Sequence, residues 1–201
     1  MKRGCLVAFE GLDGSGKSTQ LERQAARLRA AGHDVVATRE PTPGPNGRRI
    51  RELAAAGERA PARDELALFV ADRREHVAGV IAPALARGAL VLTDRYFLST
   101  VAYQGARGLD PERLLRESEA EFPLPDLALL FDLDPPLCGA RLRARGGAPE
   151  EAFERLDRLE RVAQVFAGLR RPYLVRIDAR GGVGEVGARV DAVLAERLGV
   201  G

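Results

Sequence analysis

Gly11-Leu12-Asp13-Gly14-Ser15-Gly16-Lys17-Ser18 decides how this 201-residue chain folds. Its spacing is G-x-x-x-x-G-K-[ST]: the glycines let successive backbone N–H groups curl round a polyphosphate, the lysine reaches the β- and γ-phosphates, and the hydroxyl binds Mg²⁺. Of the 31 basic side chains only Lys2 and Lys17 are lysines. A chain that otherwise uses arginine keeps a compact ammonium where arginine's wide planar fork would not serve as a point charge. Both flanks agree with the motif. Cys5-Leu6-Val7-Ala8-Phe9 reads as a buried strand, and residues 18–31 carry a helical pattern with Leu21, Ala25 and Leu28 on one face. Strand, loop and helix are the setting the motif requires, so residues 11–19, ending on Thr19, imply a nucleoside triphosphate site.

Outward from that stretch, apolar runs alternate with amphipathic ones. Ala31-Gly32-His33 reads as a helix stop, and Val35-Val36-Ala37 as a second strand ending at Arg39-Glu40-Pro41. Residues 41–47 read as a turn-rich loop, followed by a helical stretch holding Ile50 and Leu53 and a long helix over about 64–87. Ala89-Leu90-Val91-Leu92-Thr93, Leu127-Ala128-Leu129-Leu130-Phe131 and Leu174-Val175-Arg176-Ile177 complete five strands, with helices between them. The pattern predicts an α/β fold: a doubly wound, five-stranded parallel sheet flanked by helices, with right-handed crossovers. Ligands of such a sheet sit beyond the carboxyl ends of its strands.

Composition narrows the class. With 45% hydrophobic and 30% charged residues, residues 1–201 are expected to form one domain. The net charge of +2 is mixed in sign along the chain and implies no nucleic-acid partner. No apolar run approaches the roughly 18 residues a membrane span needs, and the first strand begins almost at Met1, so a cytoplasmic protein without signal peptide is expected. Cys5 and Cys138 form no C-x-x-C pair and read as small core residues, with no disulfide and no zinc.

The residues just after each strand carry the chemistry. Asp94 follows the third strand, where a carboxylate opposite the phosphate loop holds Mg²⁺ together with Ser18. The next residue is Arg95, which suits a phosphate oxyanion, whereas a hydrolytic ATPase usually carries a second acid there. A guanine-reading Asn-Lys-x-Asp loop is excluded, since Asn46 is the one asparagine and no lysine lies beyond Lys17. Asp134, before Pro135, reads as a helix N-cap.

Three motifs in order carry a family resemblance: Phe9-Glu10-Gly11-x-Asp13-Gly14-x-Gly16-Lys17-Ser18-Thr19, Thr38-Arg39-Glu40-Pro41, and Asp94-Arg95-Tyr96-x-x-Ser99-x-x-Ala102-Tyr103-Gln104. With Phe69-x-x-x-Arg73 and the arginine-rich stretch from Arg141 to Arg145, the chain resembles the thymidylate kinases of bacterial type, P-loop nucleoside monophosphate kinases with a small lid, here about 141–152. The resemblance implies transfer of the γ-phosphoryl of ATP to dTMP, with Mg²⁺, in a homodimer. It implies that Arg39, Arg51 and Arg95 surround the acceptor phosphate and that Asp13 lies near that phosphate and the sugar hydroxyl. Phe69 would stack on thymine while Arg73 hydrogen-bonds its O4. Thr100 and Gln104 would reach the base edge, and Tyr103 would fill the space of a ribose 2′-hydroxyl. Ser15 stands where some relatives carry an arginine in the loop, so the transition-state cation is expected from the lid, from Arg143 or Arg145, with Arg141 on adenine. Lys17, Asp13, Arg95, Arg143 and Arg145 make up the catalytic set. The chain departs from the pattern in the lid: Gly146-Gly147-Ala148-Pro149 stands where an Asp-Arg-x-Glu is usual, and Asp157-Arg158-Leu159-Glu160 comes later.

Other readings coexist with these. Phe69 lies beside Leu66 and Leu68 as a core aromatic would, Arg51 shares its stretch with Arg48 and Arg49, Tyr96 reads equally as a packing residue, and neither His33 nor His76 has a partner at a supporting spacing. Another deoxynucleoside or nucleoside monophosphate kinase is the rival enzyme; a non-catalytic ATP-binding regulatory module is the rival outside enzymes.

Overall fold

The computed structural model describes residues 4–56, 60–144 and 152–200, with the backbone alone over 152–155. Five strands form one sheet: β1 (Cys5–Gly11), β2 (Val35–Arg39), β3 (Leu90–Asp94), β4 (Leu127–Asp132) and β5 (Leu174–Asp178). All pairings are parallel, in the order β2-β3-β1-β4-β5. β1, β3 and β4 hold the centre, and their apolar runs are buried because a parallel sheet is covered on both faces. From β1 the chain moves one way to β2; from β3 it moves the other way to β4. The gap between β1 and β3 is therefore the switch point, where two neighbouring strands send their following segments apart and open a crevice. Phe9 pairs with Asp94 and Arg39 with Asp94 in the ladder, so the ends of β1, β2 and β3 are level there.

Right-handed crossovers then put the helices on two faces. α1 (Lys17–Ala30) packs on β1, β2 and β3 and beside α9 (Val183–Leu198). The opposite layer holds α2 (Pro45–Ala55), α3 (Ala62–His76), α4 (Ala82–Ala86), α5 (Phe97–Gly105), α6 (Pro111–Glu121), α7 (Pro135–Arg143) and α8 (Ala152–Gly168). Within it α5 rests on β1 and is backed by α3, α6 and α8. α1 ends where the sequence predicts: Gly32 has φ +87° and the N–H of His33 donates to Leu28 O at 3.1 Å, a Schellman closure.

Two predicted elements are corrected. Residues 45–47 are not loop but the first turn of α2, with Pro45 at the first helical position, where its missing N–H costs nothing. The helix expected over 64–87 starts at Ala62 and is interrupted by a π-helical turn, Val77–Ile81, before α4. Pro83 has no N–H to give to the carbonyl of Gly79, and the wider turn absorbs that loss while keeping Ile81 in the core. Asp134 stands at the N-cap of α7 as expected, but its carboxylate makes no capping hydrogen bond.

Candidate active site

β1 delivers the phosphate loop and β3 delivers Asp94-Arg95 to the same crevice. Gly14 adopts φ +86°, and a Cβ on it would stand 2.5 Å from the carbonyl oxygen of Cys138 in α7, so the loop lies directly on that helix. The buried ammonium of Lys17 donates to Leu12 O at 3.1 Å and lies 3.8 Å from Asp13 Oδ1. Burial and the nearby Arg95 guanidinium push its pKa down to about 8, against the pull of Asp13, Asp94 and Glu10. Ser18, in the first turn of α1, donates its hydroxyl hydrogen bond to Asp94 Oδ2. Asp94 Oδ1 is buried without a partner, which leaves an anionic oxygen beside the phosphate loop for a divalent cation. The Ser18 and Asp94 pair therefore fits Mg²⁺ carried on a triphosphate.

On one side of the loop lies a cavity of about 230 Å³ lined by Ser15, Gly16, Thr19, Arg141 and the turn from Gly181 to Val183. Arg141 reaches over the loop to the carbonyls of Ser15 and Gly14, at 3.4 and 3.5 Å. The Gly181–Val183 turn lines the same cavity as Arg141. That turn escapes sequence reading because nothing local links it to a loop 165 residues earlier.

On the other side is a cavity of about 280 Å³ whose walls come from α2, α3 and α5. Arg51, Phe69, Arg73, Arg95, Thr100, Tyr103 and Asp13 all line it. Among the three arginines of α2, Arg51 is the one turned inward, holding the carbonyls of Pro41 and Thr42 at 3.0 and 2.8 Å. Phe69 is half-buried and faces the cavity, whereas Leu66 and Val70 pack on the core. Arg39 is exposed at the end of β2, level with Asp94 and outside this lining. Gln104 lies one turn beyond Thr100, with its amide donated to Glu65 Oε2 at 2.5 Å. Tyr96 is a wall of the cavity and a core residue at once, 1% exposed. Arg143 is exposed at the end of α7, and Arg145, with residues 146–151 of the lid expected over about 141–152, lies outside the described residues.

Arg73 is the deepest charge here, at 1% exposure. Its Nε and Nη2 donate to Glu40 Oε2 at 3.0 and 2.6 Å, and Nη2 also donates to Thr100 Oγ1 at 2.8 Å. The rings of Tyr96 and Phe122 each lie 5.4 Å from the guanidinium carbon. Nη1 has no partner, and Arg73 borders the cavity. His76 closes the back of this array, with Nδ1 3.0 Å from Glu40 Oε1 and Nε2 2.7 Å from Thr38 Oγ1. At the mouth, Arg95 Nη2 donates to Asp13 Oδ1 at 2.5 Å, and Tyr103 donates its hydroxyl to Asp13 Oδ2 at 3.0 Å. Burial would raise the Asp13 carboxyl, but Arg95 and Lys17 together hold it below the usual carboxylate range. Arg158 of α8 lies 5.8 Å from the Tyr103 ring and completes the rim. Glu10, Glu40, Glu65, Ser99 and Arg158 carry no assigned role in the sequence reading. The available signal was a carboxylate closing an otherwise apolar strand, Glu10 after Leu6-Val7-Ala8-Phe9.

The crevice thus sets the phosphate loop beside an arginine-rimmed cavity walled by Phe69 and Tyr96. The thymidylate kinase family model matches residues 9–190. The chain belongs to the thymidylate kinase family. Among curated relatives, the thymidylate kinase of Xanthomonas campestris pv. campestris strain B100 is 50% identical over 202 residues, covering 98% of this chain and 88% of the relative. That of Xanthomonas oryzae pv. oryzae strain PXO99A is 50% identical, covering 97% and 86%. The thymidylate kinase of Akkermansia muciniphila is 45% identical, covering 98% and 94%.

Proposed function

We propose that this chain works as an ATP- and Mg²⁺-dependent kinase whose acceptor is held in the Phe69–Arg73–Arg95 cavity. The reaction is phosphorylation of dTMP to dTDP in nucleotide biosynthesis. The observation that carries the site assignment is Arg73 Nη1: a buried, unpartnered donor bordering the cavity demands an acceptor from the ligand, and the O4 of a pyrimidine stacked on Phe69 supplies one. Arg51 and Arg95 face the same space and suit a monophosphate by bidentate contacts. Arg39 stands one strand away and joins them when the acceptor is seated. Asp13 and Lys17 lie between the two cavities, where the γ-phosphoryl of ATP meets the acceptor oxygen in line. Such a transfer depends on positioning and charge neutralisation more than on covalent help. Ser18 and Asp94 would hold the Mg²⁺, which supplies charge neutralisation on the β- and γ-phosphates. Arg141 supports adenine over the Gly181–Val183 turn, and the 141–152 lid brings Arg143 or Arg145 to the transferring phosphoryl. The catalytic unit is one domain, acting as a homodimer in the cytoplasm, as the family resemblance implies.

A coupled assay of ADP release with dTMP, dUMP, dGMP, AMP and thymidine tests this reading. Turnover of dTMP well above thymidine is expected, since two inward-facing arginines serve a phosphate already present. Thymidine turned over as well as dTMP would remove the basis for the arginine assignments.

A further inference from the structure

Glu10 is fully buried at the end of the central strand, behind the phosphate loop and away from both cavities. A carboxylate there is costly unless specific donors hold it. Its two oxygens have separate tasks. Oε1 accepts the N–H of Tyr96 at 3.0 Å, and Oε2 accepts the hydroxyl hydrogen of Ser99. Both donors closely follow Arg95: Tyr96 is the next residue and Ser99 lies in the first turn of α5. The backbone of Arg95 has φ +70°, the one positive φ among described non-glycine residues, and such conformations persist only where surroundings over-determine them. The N–H of Arg95 donates to Phe9 O at 2.9 Å and the next N–H, of Tyr96, to Glu10, so the peptides on both sides of the Arg95 Cα are pinned by consecutive residues of β1.

The side chain is pinned through the same carboxylate. Ser99 Oγ accepts from Arg95 Nη1 at 2.8 Å while giving its own proton to Glu10. A hydroxyl has one proton and two lone pairs, so a partner that takes the proton turns the lone pairs toward the guanidinium. We propose that Glu10 is a positioning residue for acceptor recognition, setting through Tyr96 N–H and Ser99 Oγ the backbone and guanidinium of Arg95. The proposal rests on the reading that Arg95 contacts the acceptor phosphate. Glu10 touches neither substrate; its hydrogen bonds reach Arg95 through Tyr96 and Ser99, on the acceptor side, whereas it meets the donor side only by its charge near Lys17.

Steady-state kinetics with ATP and dTMP varied separately, on Glu10→Gln, Ser99→Ala, the double variant and Arg95→Ala, test it, with thermal melting as the folding control. Glu10→Gln should lower kcat/KM for dTMP by about 10- to 100-fold, the size of loss a misplaced positioning group causes, and leave KM for ATP within about twofold. The double variant should be no worse than Glu10→Gln alone within about twofold, because both changes break one relay. A Glu10→Gln enzyme within about threefold of wild type for dTMP while Arg95→Ala is impaired, or one that loses both substrates equally, overturns the relay. Arg95→Ala within about threefold of wild type would overturn the acceptor-phosphate reading itself, and the relay with it. If Glu10→Gln does not fold, Ser99→Ala decides alone: a fall of about threefold or more confined to dTMP supports the relay, and an unchanged value overturns it.

Discussion

Single ionisable groups in the crevice are tuned by their neighbours, and their pH behaviour follows from that tuning. With its pKa pushed down to about 8, Lys17 in the free enzyme holds its proton below pH 8 and loses it above. kcat/KM for ATP reports the free enzyme, so it should be level below pH 8 and fall by up to about tenfold per pH unit above it. A profile level to pH 9.5 would contradict a role for the ammonium in donor binding. Glu10 shifts the opposite way. Burial pushes its carboxyl from about 4.5 up to about 7, against the lowering effects of Ser99, Arg95, Arg73 and the Tyr96 N–H. The other charged or titratable groups facing it are Lys17 and Tyr173. In the unfolded chain the proton leaves near 4.5, in the folded one near 7, so between those values the folded state binds more protons and stability falls as pH rises. Above pH 7 the loss from this group is complete, on the order of 3 kcal/mol. Glutamine mimics the neutral acid and does not ionise. Glu10→Gln should therefore melt close to wild type near pH 4.5 and progressively above it toward pH 8, a stability gain coupled to lost turnover. Equal melting differences at both pH values would show that the Glu10 charge carries no such cost.

Helices and loops meet in this fold at backbone-to-backbone distances that leave no room for a methyl group. A Cβ on Gly47 in α2 would lie 2.0 Å from Thr42 O and 2.8 Å from Asp72 Oδ1. Thr42 is the residue that Asp72 holds, through its N–H at 2.9 Å and its hydroxyl at 2.5 Å. Gly47→Ala should therefore pry α2 from the 40–44 turn, cost about 1–3 kcal/mol as overpacking does, and raise KM for dTMP because Arg51 leans on that turn. A calorimetric melt with acceptor kinetics checks both effects; a variant as stable as wild type would mean that the turn yields freely. The same contacts show what the sequence could and could not disclose. The five strands were legible because buried parallel strands are continuous apolar runs, and the phosphate loop because its residues are contiguous. The start of α2 was hidden by proline and glycine, which signal a turn unless one knows that Pro45 opens a helix. The π turn was hidden because periodicity over 64–87 barely changes when one residue is added to a single turn. In the site, Arg51, Phe69, Arg73, Arg95, Thr100 and Tyr103 were expected together from the family resemblance, and the structure gathers them around one cavity. Glu10 and Glu40 went unassigned because their partners lie 33 to 89 residues away, at distances only the fold closes.

Across the whole molecule, the sheet order places the two cavities on either side of one loop, and α7 packs against that loop at Gly14. If Arg143 or Arg145 acts on the transferring phosphoryl, at least one of Arg143→Ala and Arg145→Ala should lower kcat by roughly 10²-fold with little change in KM. Kinetics with both variants within about threefold of wild type would exclude a lid cation, since a transition-state donor costs far more. Tyr103→Ala should relax the preference for 2′-deoxy over ribo acceptors while Tyr103→Phe keeps it; an unchanged ratio in the alanine variant would count against the ring as a barrier. The buried polar chain Thr38, His76, Glu40, Arg73 and Thr100 spans β2, α3 and α5. A half-made polar chain in a low-dielectric interior is worse than either a complete or an absent one, so these three elements cannot loosen one at a time. This wall of the cavity should open as a single cooperative unit: the amide hydrogens of Glu40 and Thr42, bonded to Asp94 O and Asp72 Oδ2, should exchange with solvent at the pace of the α3 backbone rather than at the faster pace of a surface loop.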